Sequence, residues 1–156
     1  MLWTRRIEPL LRPLFFARAR LSRGMTLGVR GLVRDGEGRV LLIEHTYVPG
    51  WYMPGGGVER GETPEHALGR ELVEEAGVRL TERPVLASVH DNGAGFAGDH
   101  VLIYHVRGWE ACEPTSRGEI HARGFFAPDA LPEGVTKATR RRIEEALDAR
   151  EPDPYW

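Results

Sequence analysis

The chain has 156 residues, of which 41% are hydrophobic, and its formal net charge is −2 at pH 7. This length and apolar content predict one globular domain with a normal core, which excludes fibrous and disordered classes. The single cysteine, Cys112, has no partner for an internal disulfide, and no apolar run reaches the length of a membrane span. We therefore expect a reducing, cytoplasmic location.

The first 23 residues form a basic amphipathic segment. Arginines alternate there with leucine and phenylalanine at helical spacing, and Pro9 and Pro13 interrupt the pattern. A targeting peptide is a poor match, because Arg12 and Pro13 break the apolar stretch. Three alternatives remain for residues 1–23: a helix packed on the domain or on a second copy of the chain in a homodimer, contact with a membrane surface, or a disordered arm.

Two strands are predicted next. Residues 25–33 and 39–44 are apolar runs separated by the turn sequence Asp35-Gly36-Glu37-Gly38, so we expect a β-hairpin. Arg30 lies inside the first of these strands, where an unpaired charge would be costly. We expect its guanidinium to contact a substrate phosphate or to pair with a carboxylate.

A loop rich in proline and glycine follows the hairpin. Pro54 is followed there by Gly55, Gly56 and Gly57. Because three successive residues lack side chains, the backbone can approach a metal ion or an anion closely, and Gly56 and Gly57 become candidate substrate-binding residues. Tyr47, upstream of the loop, is a candidate for stacking on a nucleobase, with ordinary packing as the alternative.

Residues 64–76 are predicted to form a helix. Thr63 is a good N-cap, Pro64 suits the first helical position, and Gly77 favours a stop. An apolar stripe along one side of this segment is expected to face the core.

Three carboxylates converge on this helix. At about 3.6 residues per turn, Glu71 lies one turn from both Glu74 and Glu75. Such crowding is costly unless a cation binds, and oxygen ligands without a cysteine or a histidine pair favour Mg²⁺ or Mn²⁺ over zinc. A solvated acidic helix face is the alternative, but it leaves the glycine loop unexplained. Arg70 is expected to point about 100° away from Glu71 and to brace Glu62 or a backbone carbonyl.

The second half of the chain predicts further strands and a closing helix. Residues 85–90 and 101–106 are expected to form a second hairpin, and residues 120–127 another strand. A short helical turn is predicted at 128–131 and a helix capped by Thr136 at 136–149.

Helices on both sides of the predicted strands imply an α/β fold, an α/β/α sandwich around a mixed β-sheet. We divide the chain into an extension at residues 1–23, a domain at 24–150 and a C-terminal tail at 151–156.

The segment from the glycine loop to the end of the acidic helix resembles the signature of the Nudix hydrolases. That signature is a glycine, five residues, a glutamate, seven residues, Arg-Glu, an aliphatic residue, any residue, Glu-Glu, any residue, a glycine and an aliphatic residue. The matching residues are Gly56, Glu62, Arg70, Glu71, Leu72, Glu74, Glu75, Gly77 and Val78. The resemblance extends from about residue 25 to residue 150, and it implies the Nudix fold and hydrolysis of a nucleoside diphosphate linked to another moiety.

The resemblance also implies roles for individual residues. The implied metal ligands are Glu71, Glu74, Glu75 and the carbonyl of Gly55. Arg70 and Glu62 match the bracing pair. The family draws its general base either from the helix or from a glutamate on a later loop or strand, and Glu119 is the candidate here. An ordinary solvated glutamate is the alternative, and Ala122 occupies a nearby position where relatives carry an acid.

Three functions follow from these features. The favoured one is a Mg²⁺-dependent (or Mn²⁺-dependent) pyrophosphohydrolase of a small nucleotide, such as a nucleoside triphosphate, a nucleotide sugar or a dinucleotide. The second is an RNA 5′-end pyrophosphohydrolase that holds the phosphate backbone with its basic termini, although no interleaved aromatic and basic platform favours nucleic acid. The third is a non-catalytic nucleotide sensor, which would be expected to have lost carboxylates that are all present here.

Overall fold

The computed structural model describes residues 24–116, 118–148 and 150–156. The expectations for residues 1–23 lie outside these ranges. The strands are β1 Thr26–Val33, β2 Val40–His45, β3 Trp51–Tyr52, β4 Val78–Leu80, β5 Val85–Asp91, β6 Asp99–Val106, β7 Trp109–Ala111 and β8 Ile120–Phe126. The α-helices are α1 Pro64–Glu71 and α2 Lys137–Leu147, and a π-helical segment, Leu72–Ala76, continues α1.

The central sheet is mixed. It has the strand order β1-β6-β5, with β1 parallel to β6 and β5 antiparallel to β6. The predicted hairpin between residues 85–90 and 101–106 is therefore confirmed. A second sheet, β3-β2-β8, is antiparallel, and β4 pairs with β7 in a third.

The other predicted hairpin is wrong. β1 and β2 are joined by a tight turn in which the Asp35 carboxylate accepts bonds from two backbone N–H groups, but a single bridge, Arg34 to Val40, links the strands before they diverge into different sheets. The edge of β1 that a hairpin would use pairs instead with the glycine loop: Val29 N–H donates to the Gly56 carbonyl at 2.9 Å. A loop without the alternation of a strand gives no sequence signal that it will fill a strand edge.

The acidic helix begins as predicted. The Thr63 hydroxyl accepts from the His66 N–H at 3.2 Å, and Pro64 opens α1. The last five residues then widen into a π-helical turn, which ends where Gly77 adopts a left-handed conformation with φ of 66°. A π-helical turn re-aims the side chains that it carries, here Glu74 and Glu75.

Two apolar clusters hold the layers together. One packs α1 against the strands, with Leu68 and Leu72 fully buried beside Val29. The other packs Ile143 of α2 with Leu32 and other strand residues. With α1 and α2 serving separate clusters, the arrangement is the expected α/β fold of helices around a mixed sheet.

Two details complete the fold. Residues 128–131 do not form the predicted helical turn; Ala130 N–H bonds to the Ala127 carbonyl in an isolated turn, and Pro132 disfavours helical geometry in the residue before it. α2 is capped by the Thr136 hydroxyl, as predicted. Across the described ranges, no helix combines the length and apolar character needed to cross a membrane.

Candidate active site

The glycine loop is fixed against β1 by backbone hydrogen bonds. Gly31 N–H donates to the Pro54 carbonyl and Val58 N–H to the Leu27 carbonyl, each at 2.9 Å. Gly55 has φ of 141°, a conformation that other residues rarely adopt, and a Cβ there would collide with the Val29 carbonyl. The loop is therefore a preformed part of the sheet edge.

Gly56 leaves space for a side chain that lies against it. A Cβ at this position would overlap the carboxylate of Glu71, whereas a Cβ at Gly57 would meet nothing within 4 Å. Gly56 thus makes room for the Glu71 carboxylate, and Gly57 leaves an open approach from solvent. Glu71 and the loop backbone form one wall of the site.

Arg70 braces the site as predicted, through Glu62 and a backbone carbonyl. Its guanidinium donates to both Glu62 carboxylate oxygens, at 3.0 and 3.1 Å, and to the Gly57 carbonyl at 3.1 Å. The hydrogen bond from Arg70 is the main reason that the pKa of Glu62 falls to about 2. The pair ties the loop before α1 to the helix itself.

The expectation that Arg70 points away from Glu71 is wrong. Arg70 Nη1 lies 2.7 Å from Glu71 Oε1 and 3.4 Å from Glu74 Oε2. A long, flexible arginine side chain can curl back along the helix to reach both carboxylates, which residue spacing alone does not show. Arg70 therefore supplies positive charge to the acidic cluster as well as bracing the loop.

Glu75 is a buried acid of the site with a raised pKa. It is only 7% exposed, and its Oε2 accepts from the Gly55 N–H at 2.9 Å. Burial raises the pKa of Glu75 to about 7, against the lowering effects of the Gly55 hydrogen bond and the Arg30 charge. An additional cation would favour its ionised form.

His45 is a neighbour of Glu75 that the sequence did not indicate. Its Nε2 lies 3.8 Å from Glu75 Oε1, and its buried Nδ1 has no hydrogen-bond partner. Burial lowers the pKa of His45, and the Arg30 charge lowers it further. His45 ends β2, and only the pairing of that strand with its neighbours brings the ring to the site.

Arg30 lies inside the site, bonded to backbone rather than to a carboxylate. Its Nη1 donates to the Gly55 carbonyl at 2.6 Å and to the Met53 carbonyl at 3.1 Å. Burial lowers the pKa of Arg30, while the charges of Glu75 and Glu71 oppose that effect. The Gly55 carbonyl, an implied metal ligand, is thus engaged by a guanidinium in this structure.

Glu119 and Tyr47 lie at the rim of the site. The Ser116 hydroxyl donates to Glu119 Oε2 at 3.0 Å, and the charge of Glu119 is close enough to raise the pKa of Glu75. Tyr47 is 68% exposed, and its ring centroid is 5.1 Å from that of His45. Residues from several separate loops and strands therefore lie around the buried carboxylate of Glu75.

The donor set fits a hard divalent cation by its chemistry. Carboxylate and carbonyl oxygens are the ligands that Mg²⁺ and Mn²⁺ prefer, and the raised pKa of Glu75 marks a buried carboxylate without a sufficient counter-charge. Within the described ranges, no three acidic, histidine or cysteine side chains are gathered around one point as they stand. Glu71, Glu74 and Glu75 are held instead by Arg70 and by the Gly55 N–H.

A cavity of about 290 Å³ opens beside the glycine loop. Arg30, Gly56 and Gly57 line one part of it, and Asn92, Asp99 and Trp156 another. The residues of the second group are distant in sequence: they come from the β5–β6 loop, the start of β6 and position 156.

The fold and the site together define a hydrolase of phosphoric anhydride bonds: a glycine loop on a mixed sheet, a helix of glutamates and an arginine that braces both. Comparison with known proteins makes the assignment specific. The NUDIX domain family model matches residues 24–147, and the chain belongs to the Nudix family. Members of this family generally depend on a divalent metal ion.

Several known proteins are similar to this chain. A MutT-like protein of Streptomyces ambofaciens is 32% identical over 127 residues, which are 81% of this chain and 80% of that protein. The crystal structure of a MutT NUDIX hydrolase from Burkholderia pseudomallei has a TM-score of 0.64 and 34% identity, covering 76% of this chain and 95% of that one. An RNA pyrophosphohydrolase of Dinoroseobacter shibae is 46% identical over 59 residues, 36% of this chain and 37% of that protein.

Proposed function

We propose that this protein is a Mg²⁺- or Mn²⁺-dependent pyrophosphohydrolase that cleaves a small nucleotide in which a nucleoside diphosphate is linked to another moiety. The observation that carries the proposal is Glu75, a buried carboxylate with a raised pKa, held by the Gly55 N–H beside Glu71. A buried acid next to a loop open to anions suits the binding of a cation together with phosphate oxygens.

Glu71, Glu74 and Glu75 would hold the divalent ion, with the Gly55 carbonyl as a backbone ligand. When bound, such an ion neutralises phosphate oxygens and lowers the pKa of a coordinated water. The protein supplies the positioning. Arg70 and Glu62 keep α1 and the glycine loop in register, and the open backbone at Gly57 admits the diphosphate.

Arg30 and Glu119 complete the proposed machinery. The Arg30 guanidinium, at the cavity wall, would contact a substrate phosphate in exchange for one of its backbone acceptors. Glu119, at the rim, would accept the proton of the attacking water. Tyr47 is exposed beside His45, where it could pack on a part of the substrate outside the cavity.

The test is a screen for hydrolysis of nucleoside triphosphates, nucleotide sugars and dinucleotides with Mg²⁺, with Mn²⁺ and with EDTA. We expect activity only with a metal ion. Glu74→Gln should reduce kcat by at least about 100-fold, because it removes a charged ligand and the metal that the ligand holds. Glu133→Gln, an exposed loop position, is the matched control and should keep full activity. Full activity of Glu74→Gln would refute the metal site.

Hydrolysis of RNA 5′ ends is a second candidate, favoured by the 46% identity over 59 residues to an RNA pyrophosphohydrolase. It predicts that triphosphorylated RNA outcompetes a nucleoside triphosphate and that its binding weakens steeply with salt. Adding triphosphorylated RNA to the substrate screen at 50 and 200 mM salt separates the two candidates.

A further inference from the structure

The last four residues of the chain pack along the end of β5. The Asp91 N–H donates to the Pro154 carbonyl at 2.8 Å, and the Trp156 N–H donates to the Asp91 carbonyl at 2.9 Å. We call residues 153–156 the C-terminal strap. Its backbone extends the pairing of the sheet edge, so Trp156 has a defined position.

A buried polar group anchors the strap. Arg142 of α2, 2% exposed, donates to the carbonyls of Asp153 at 3.1 Å and Tyr155 at 3.3 Å. The ring of His90, fully buried in β5, lies 2.6 Å from the Asp153 carbonyl. Because β5 and α2 both hold its backbone, the strap is part of the domain and its tryptophan is preorganised.

Trp156 borders the cavity that begins at the glycine loop. Its indole is partly buried, with the Arg142 guanidinium over the ring at 6.0 Å from the centroid. The cavity, at about 290 Å³, runs from Gly56 and Arg30 to Trp156. The side chain of Trp156 also packs against the apolar cluster that contains Ile143. An aromatic residue in the cavity lining, away from the glycine loop, suits a planar group attached to a phosphate chain.

Asp99 makes the far end of the cavity selective for hydrogen-bond donors. Its two carboxylate oxygens accept from the Thr26 hydroxyl at 2.6 Å and from the Asn92 amide at 2.8 Å. These two bonds fix the carboxylate, and a carboxylate has lone pairs for further donors. A group that presents N–H donors is therefore favoured there, and one that presents carbonyl oxygens is disfavoured.

We propose that Trp156 and Asp99 form the base-binding end of the cavity, in which the indole packs on a nucleobase and the carboxylate accepts from its N–H groups. Guanine presents a ring N–H and an amino group side by side, whereas the single ring N–H of uracil lies between two carbonyls. Guanine nucleotides are thus the preferred class. Because this proposal rests on the proposed hydrolase function, its test must measure nucleotide binding without requiring hydrolysis.

The test measures binding by isothermal titration calorimetry in Mg²⁺, with α,β-methylene analogues of guanosine and uridine triphosphate and with inorganic tripolyphosphate. Trp156→Ala should weaken both nucleotide analogues by about tenfold or more and leave tripolyphosphate unchanged. Trp156→Phe should stay within about threefold of the wild type, because it keeps an aromatic face. Asp99→Asn should lower the ratio of guanosine to uridine affinity by about tenfold.

The matched control is Tyr155→Ala, because Tyr155 is the adjacent strap residue and its side chain is 65% exposed. It should bind all three probes as the wild type does. The proposal is overturned if the wild type binds neither nucleotide analogue, if Trp156→Ala binds both within twofold of the wild type, or if it loses tripolyphosphate equally. Circular dichroism of each variant detects unfolding. If Trp156→Ala does not fold, Asp99→Asn still tests the proposal, because an unchanged ratio of guanosine to uridine affinity in that variant would overturn it.

Turnover separates the two proposals. If the wild type hydrolyses no nucleotide but binds the guanosine analogue through Trp156, the hydrolase proposal fails and the base site holds. If hydrolysis depends on Glu74 but substitution of Trp156 or Asp99 leaves nucleotide affinity unchanged, the base-site proposal fails and the hydrolase proposal holds.

Discussion

The two ends of the cavity are built in opposite ways. The proposed phosphate end joins the cavity lining at Gly56 and Gly57 to the glutamates of the neighbouring helix. Most of its residues belong to one continuous stretch, 54–77, whose members constrain each other at short range, as Gly56 does by leaving room for Glu71. The base end comes from β1, the β5–β6 loop and the C-terminal strap, which meet only in the folded sheet. On these two proposals, the residues for the reaction are local in sequence, while the residues that choose the substrate are distributed over the chain.

Glu119 can break this comparison, because it would place essential chemistry outside the continuous stretch. Glu119→Gln should lower kcat by about 100-fold or more if the carboxylate is the general base, with a smaller change in KM. Steady-state kinetics on the best substrate of the screen measures both constants. Glu113→Gln, an exposed glutamate of the same loop, is the control and should match the wild type. Unchanged kcat in Glu119→Gln would indicate that the general base lies on the helix and not at Glu119.

Gly56 tests whether short-range contacts within residues 54–77 set the position of Glu71. Gly56→Ala inserts a methyl group into the position of the Glu71 carboxylate, so kcat/KM should fall by about 100-fold, the cost of displacing a catalytic group by about an ångström. Gly36→Ala, in a turn where a Cβ meets nothing within 4 Å, controls for the loss of a glycine. Wild-type kinetics in Gly56→Ala would mean that the loop shifts freely and does not set the position of Glu71.

The same contrast explains what the sequence could predict. The Thr63 cap of α1, the stop at Gly77 and the pairing of Arg70 with Glu62 depend on residues a few positions apart, so helix geometry and spacing were sufficient. The π-helical turn was not foreseen, because its hydrogen-bond pattern follows from packing and not from residue types.

Long-range pairings were harder to foresee. A good turn sequence predicts a β1–β2 hairpin, but the glycine loop pairs with the edge of β1 instead. The loop lacks the alternation of apolar and polar residues by which a strand is recognised in a sequence. His45, Asn92, Asp99 and Trp156 reach the site or its cavity only through the register of β2, β5 and β6. Nothing near them in sequence resembles a motif.

The smallest expected effect concerns the bracing pair and its pH dependence. The pKa of Glu62 falls from an ordinary 4.5 to about 2, chiefly through the hydrogen bond from Arg70. A lowered carboxyl pKa contributes stability that is fully present above pH 4.5 and is lost as the pH falls toward 2.

Glu62→Gln removes this titration, so its urea midpoint should fall less steeply between pH 4.5 and 2 than that of the wild type. Glu110→Gln, which breaks an exposed pair with Arg79 at 3.2 Å, should keep the wild-type slope. Parallel curves for wild type and Glu62→Gln would show that Arg70 does not hold the Glu62 carboxylate in solution. The glycine loop and the sheet would then hold the proposed phosphate end in place. In that case both ends of the cavity would depend on long-range contacts of the folded sheet, and the contrast between them would be smaller.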